Sequence, residues 1–135
     1  MAAEFQLRVV TPRQQLLDQP VTEVTAPGTL GEFGVLPDHA NFLSSLEAGR
    51  LTYKDRAGAH LLAIREGFAE VSNNVMIVLS EAAETPREID TAAARADLAQ
   101  AEAALARLTP VDPDYAAVDA QRRWALARLD VAAGA

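Results

Sequence analysis

Apolar and polar residues alternate at the start of the chain, where Phe5, Leu7 and Val9 interleave with Gln6 and Arg8 at the two-residue period of a half-buried strand. Similar short runs follow at 21–26, 51–54, 60–65, 67–72 and 75–79. Turn residues separate them, at 55–58, at Glu66 with Gly67, and at Asn73 with Asn74. Short strands in tight succession predict an antiparallel sandwich or barrel, because hairpins close two apolar faces on one another without crossover helices.

Further along, the period lengthens. Ala94, Leu98, Ala101, Leu105 and Leu108 recur every four or three positions, so a helix is expected to begin after Asp90 as its N-cap and to end before Pro110. Asp112, Pro113 and Asp114 form a second start signal of a capping carboxylate, a proline at the first helical position and an acid near the positive end of the dipole. Tyr115, Val118, Ala125, Leu126 and Leu129 supply the stripe of this second helix. Two helices of about 18 residues, roughly 27 Å each, with a short loop between them form an antiparallel hairpin.

Composition places the boundary. Six of the seven glycines precede Thr85, and 17 alanines follow it. The fold class read from this is α+β, an N-terminal antiparallel β-sandwich or barrel over residues 1–85 and a C-terminal antiparallel two-helix hairpin over 86–135, with the linker at 84–88. The helical stripes are mostly alanine, whose burial contributes little beside the roughly 1.5–3 kcal/mol of a large aliphatic side chain. The hairpin should therefore depend on a surface elsewhere, and a marginally docked element can move.

A net charge of −7 argues against sequence-independent nucleic-acid binding and against direct adhesion to anionic lipid. With no cysteine there is no disulfide framework and no thiolate chemistry. No apolar run approaches the roughly 20 residues of a spanning helix, and residues 1–10 lack the basic-then-apolar pattern of an export signal, so none is expected. The six cations after Pro86 are all arginines.

The richest segment is 28–51. Gly28, Gly31 and Gly34 bracket Glu32 and Phe33 and are followed by Leu36, Pro37, Asp38 and His39, which reads as a rigid, presented loop. Catalysis would have to start from His39 or His60, yet no nucleophile motif accompanies them, and His39 is read as a contact residue and His60 as a solvent-facing strand residue. Their separation matches no metal-ligand spacing, and GTLGEFG lacks the lysine and following helix of a phosphate loop, so neither a metal nor a cofactor is expected. On the second helix Arg122, Arg123 and Arg128 surround Trp124. Either Trp124 is an interface residue beside cations, or it packs on the sandwich while the arginines pair with Asp119 or Asp130.

The stretch APGTLGEFGVLPDHANFL resembles the APGxxGExGVLPxHxxxL signature of the epsilon subunit of F-type ATP synthases. The resemblance extends through VVTPRQQLLDQPVTEVTAPG and REGFAEVSNNVMIVLSEAAE to the two helices, IDTAAARADLAQAEAAL and DYAAVDAQRRWALARLDVA, and so spans nearly the whole chain. It implies an N-terminal flattened antiparallel β-sandwich followed by the hairpin, in a non-catalytic central-stalk subunit that joins the gamma subunit to the membrane c-ring and regulates ATP hydrolysis through its hairpin. Carried over by position, Gly31, Glu32, Phe33 and Gly34 would form a loop facing the c-ring, and His39, Asn41 and Phe42 would lie near gamma. Arg122, Arg123 and Arg128 would meet acidic segments of the alpha and beta subunits when the hairpin extends. The implied location is peripheral, on the cytoplasmic face of the bacterial plasma membrane as part of the F1 assembly, with the membrane reached only through the complex. Some members bind ATP through an [IL]DxxRA motif. Here Ile89 and Asp90 match, but Ala93 stands at the arginine position and Arg95 lies about 200° further round the helix, so weak or absent binding is expected. An ATP-responsive binding module is the alternative reading, and an enzyme the third.

Overall fold

The computed structural model describes residues 3–134; the outermost positions of the two expected units, Met1, Ala2 and Ala135, lie outside the described residues. Ten strands come first: β1 (Phe5–Val10), β2 (Gln15–Val21), β3 (Glu23–Gly28), β4 (Gly31–Val35), β5 (Phe42–Leu46), β6 (Gly49–Asp55), β7 (Gly58–Ile64), β8 (Gly67–Ser72), β9 (Val75–Ser80) and β10 (Ala83–Glu84). A short 3-10 turn at Pro86–Glu88 leads to helices α1 (Thr91–Leu105) and α2 (Tyr115–Gly134). The fold is the expected β-sandwich followed by two helices.

Hydrogen bonds run through the strands in the order β10-β7-β6-β3-β5-β8-β9-β1-β2, with β4 paired to β3. The path folds over where β3 hands on to β5 through the single pair Gly28 and Leu46, and the halves on either side become the two layers. Leu7, Val9, Val24, Leu51, Ile64, Ala69, Met76 and Val78 meet between them in one buried cluster. One ladder departs from the antiparallel expectation, since β1 runs parallel to β9 from Gln6 beside Val75 to Val10 beside Leu79. A parallel pair needs a long crossover, and here nearly the whole sandwich supplies it.

The alternation of apolar and polar residues does not mark strands β2, β4, β5 and β10. In β2, Pro20 argues against a strand by pattern, but β2 ends the hydrogen-bonded path, where a residue without an N–H is tolerated.

Alanine governs the hairpin as expected: Ala94 and Ala101 of α1 and Ala125 of α2 are buried. The second helix differs in two respects. Its regular turns open at Tyr115, while the Asp112 carboxylate turns back to accept the Thr109 N–H at 2.7 Å, so Asp112 caps the interhelical loop instead of α2. Leu126, expected in the stripe, is 41% exposed, whereas Ala127 and Val131 are buried. At about 100° per residue, Val118, Ala125 and Leu129 share one face of α2, and Trp124, Ala127 and Val131 a second. The helix is wedged between α1 and strands β6 and β7, which divides its small apolar residues between two faces and leaves Leu126 outside both.

Candidate functional site

Three places on the molecule gather the side chains of interest. The first is the β3–β4 hairpin, whose ladder runs from Val24 beside Val35 to Gly28 beside Gly31, so only Thr29 and Leu30 turn the chain. Gly31 has φ 128°, a conformation that suits glycine. A Cβ on Gly28 would come within 2.7 Å of the Gly31 carbonyl oxygen and 3.0 Å of the Phe33 ring, so only a bare backbone fits there. Gly31, Glu32, Phe33 and Gly34 therefore stand on a paired strand instead of forming the expected loop. The glycines close a two-residue hairpin, and its tip is Leu30, fully exposed at 103%. Glu32 is also exposed and makes no ion pair among the described residues.

Phe33 turns to the other side of β4. Its ring meets Phe42 edge-on at 4.9 Å, and Phe42 meets His39 at 5.7 Å. The residue sets expected to face the c-ring and gamma thus share one aromatic cluster. Asp38, at φ 63°, donates its N–H to Asn74 Oδ1 at 2.8 Å, which ties this segment to the β8–β9 turn. His39 Nδ1 lies 2.7 Å from its neighbour's carbonyl oxygen at Ala40, and Asn41 is exposed.

The second place is the junction of α2 with the sandwich. Val131 packs with Ala63 and Ile89, and Leu61 and Trp124 flank them. Trp124 is thus seated on the sandwich, with the Arg65 and Arg128 guanidinium carbons 6.0 and 5.7 Å from its ring centre. Arg128, with a side chain only 12% exposed, donates to Glu84 at 2.6 Å and lies 3.7 Å from Asp97, so it joins β10, α1 and α2. Arg123 reaches Glu47 at 3.0 Å and Asp119 at 3.1 Å; Arg122 holds Asp119 at 2.8 Å. Asp130 pairs not with these arginines but with Arg50 of β6, at 2.9 Å. Ile89 is buried in the same small cluster, and the Asp90 carboxylate caps α1 by accepting the Ala93 N–H at 3.0 Å.

The third is a polar group at the far end of β6 and β7. His60 is half-buried on the core side of β7, not solvent-facing as its alternation had indicated, because register sets it opposite Tyr53, which packs on the core. The two rings stack at 4.9 Å, and His60 Nε2 lies 2.9 Å from Asp55 Oδ1. Asp55 also accepts from Gln19 at 2.8 Å and from the Ala57 N–H at 2.8 Å. These contacts, the His60 hydrogen bond first, hold the Asp55 carboxyl below its ordinary value. A depressed folded-state value stabilises the fold above the unfolded carboxyl range near about pH 4, and that contribution disappears as pH falls through the folded value. Asp55→Asn is thus expected to flatten the acid-side decline of the melting temperature between about pH 5 and pH 2; an unchanged profile would refute this role.

Among the described residues no group of His, Cys, Asp and Glu is placed to hold a metal ion, and no helix is long and apolar enough to cross a membrane.

The sequence model of the family described as ATP synthase, Delta/Epsilon chain, beta-sandwich domain matches residues 4–86. The chain belongs to this ATP synthase family. Over 132 residues it is 47% identical to the ATP synthase epsilon chain of Trichlorobacter lovleyi and 46% identical to that of Geobacter sulfurreducens, each alignment covering 98% of this chain and 96% of the relative. Its fold also agrees with a chain in the mitochondrial ATP synthase structure of Euglena gracilis, at a TM-score of 0.81 and 24% identity over 97% of this chain and 82% of that one. Leu30, Glu47, Glu84 and Asp97 are among the side chains at these places that the sequence alone does not nominate. A Gly-x-x-Gly spacing could have marked Leu30 as a hairpin tip, but no local signal marks the acids, which lie opposite the arginines only once the chain is folded.

Proposed function

We propose that the chain is a non-catalytic rotor subunit of a proton-translocating F-type ATP synthase, coupling the catalytic F1 part to the membrane c-ring and restraining ATP hydrolysis through its hairpin. Residues 1–85 are the docking unit and residues 86–135 the regulatory one. In this reading the β3–β4 hairpin faces the c-ring with Glu32 beside its tip, where an exposed acid can pair with basic loop ends and Gly31 and Gly34 allow close backbone approach. His39, Asn41 and Phe42 lie towards gamma. The assembly sits on the cytoplasmic face of the bacterial inner membrane, and this chain meets the membrane only through it.

One observation carries the regulatory part: Arg123 and Arg128 are already paired with sandwich acids, Glu47 and Glu84. Beyond these pairs and that of Arg50 with Asp130, the docked arm rests on a small apolar patch around Val131. The exposed pairs Arg123–Glu47 and Arg50–Asp130 contribute about 0–1 kcal/mol each and the shielded Arg128–Glu84 contact about 1.5–3 kcal/mol, so docked and extended arrangements can lie within a few kcal/mol of each other. On extension the arginines exchange the sandwich acids for acidic segments of the alpha and beta subunits. Arg122, held by Asp119 on its own helix, travels with them.

The reading is tested by co-expression with gamma from the same genome. Stable copurification of the two is expected; its absence in a folded preparation would refute the rotor assignment. An ATP-responsive module is the second reading, favoured by the match at Ile89 and Asp90. Against it, Ala93 offers no cation and the Asp90 carboxylate is occupied as a helix cap. Calorimetry on the isolated chain is expected to detect no tight ATP binding, and tight binding lost in Asp90→Ala would favour this second reading.

A further inference from the structure

The turn between β8 and β9 is made by Asn73 and Asn74 alone, since Ser72 and Val75 already pair across it. Both residues have positive φ, 51° and 63°, as in the two-residue hairpin turn that favours Asn followed by Gly. Asn74 tolerates this conformation, yet a glycine would serve the turn at least as well. What keeps a side chain there lies outside the turn.

Its amide group bridges two distant segments. Oδ1 accepts the Asp38 N–H at 2.8 Å, and Nδ2 donates to the Glu4 carbonyl oxygen at 3.0 Å. The Asn74 main-chain carbonyl accepts the Gln6 N–H at 3.1 Å, so both the backbone and the side chain are anchored at the start of β1. A carboxylate would lack the donor and a serine hydroxyl the reach. Asp38 lies in a turn that Pro37 opens and that the His39 N–H closes on the Leu36 carbonyl at 3.2 Å. Proline followed by a positive φ is the pattern of a type II turn, whose third position favours glycine or asparagine; Asp38 holds it at φ 63°. Asp38, Ala40 and Asn41 are exposed. Among the described residues, the bond to Asn74 is the one hydrogen bond that joins Pro37, Asp38, His39 or Ala40 to another part of the sandwich.

We propose that Asn74 is a positioning residue for the gamma contact: its side-chain amide latches the Asp38 turn to the start of β1 and so holds His39 and Asn41 in the arrangement that gamma meets. The proposal rests on the rotor reading, which sets His39, Asn41 and Phe42 towards gamma, and deepens it by naming what presents them. Phe42 opens β5 and is held by its pairing with Val71 and by the Phe33 ring. The residues before it depend on Asn74. A segment that occupies its binding arrangement only part of the time binds more weakly in proportion to that fraction. Loss of two hydrogen bonds corresponds to about a tenfold fall in the latched population, and the apparent affinity for gamma falls with it.

The test uses the full chain in four forms: wild type, Asn74→Gly, Asn74→Asp and the control Asn73→Gly. Glycine suits both turn positions, so melting temperatures should stay within about 5 °C of wild type. Amide hydrogen exchange followed by NMR should quicken about tenfold at Asp38 in Asn74→Gly and hold in Asn73→Gly. Binding to purified gamma should weaken about tenfold in Asn74→Gly and stay within about twofold of wild type in the control. Asn74→Asp keeps the acceptor for Asp38 and gives up only the donor to Glu4, so it should restore both exchange and affinity to within about threefold of wild type. Unchanged exchange at Asp38, or faster exchange with undiminished affinity, would overturn the positioning role and leave the rotor reading intact. Affinity lost equally in both glycine variants, or lost together with the protection of the Leu7 and Val78 amides in the core, would assign the effect to the turn or the fold and overturn it too. Failure of the wild type to bind gamma would overturn the rotor reading itself.

Discussion

Ending the chain after Glu88 is expected to raise ATP hydrolysis by the assembled enzyme at least about fivefold, the lower end of ordinary coupling between sites. The cut removes α1 and α2 while sparing every strand, so the docking unit remains and only the arm's restraint is lost. Unchanged hydrolysis would show that the arm does not regulate. A point substitution separates this from mere loss of a domain. Glu84→Gln leaves the arm in place and removes the charge that Arg128 meets at 2.6 Å. A hydrogen bond between charged groups contributes about 1.5–3 kcal/mol, so the docked population should fall by roughly 10- to 150-fold relative to the extended one. Hydrolysis should then decrease, opposite in sign to the truncation. The two results together distinguish an arm that acts when released from one that merely stiffens the sandwich.

Gly67→Ala is expected to destabilise the sandwich by about 3 kcal/mol or more, among the larger effects of a single substitution. A Cβ at this position would stand 1.8 Å from the Leu79 carbonyl oxygen and 2.8 Å from its carbon, both main-chain atoms held in the β8–β9 ladder, where Gly67 pairs with Ser80. No side-chain rotation relieves such a contact, so the strands must part at the point where β8 begins. For a domain of this size the melting temperature should fall by about 10 °C or more. A change within about 2 °C would mean that the ladder shifts freely there.

Much of this architecture was legible because single strands and helices write their burial into their own period. Phe5, Leu7 and Val9 are buried as their alternation required, and Ala94 and Ala101 as the helical stripe required. The stop before Pro110 and the cap at Asp90 follow from local chemistry alone. What escaped depends on partners. Pro20 hid β2, since only its edge position makes a proline acceptable there. The glycines around Glu32 read as a loop because the same residues that permit a loop also permit a two-residue hairpin. Leu126 fits a single stripe by period, whereas α2 has two partners and buries two narrower faces.

The site was legible to a smaller extent. A resemblance along the chain could nominate Glu32, His39 and the arginines, but not what they touch. Arg123 meets Glu47 and Arg128 meets Glu84 across 76 and 44 positions of sequence, and the period of α2 carries no information about which acid lies opposite. For the same reason the two readings of Trp124 could be resolved only with Ala63 and Val131 in view.

The release of the arm is tested most directly by preventing it. Because the chain contains no cysteine, Glu47→Cys with Arg123→Cys provides two unique thiols where the native side chains meet at 3.0 Å, and a short bifunctional maleimide would pin α2 to the sandwich before reconstitution with the other subunits. The pinned enzyme is predicted to hydrolyse ATP as fast as the enzyme carrying the truncated chain; a pinned enzyme as restrained as its uncross-linked counterpart would contradict the account.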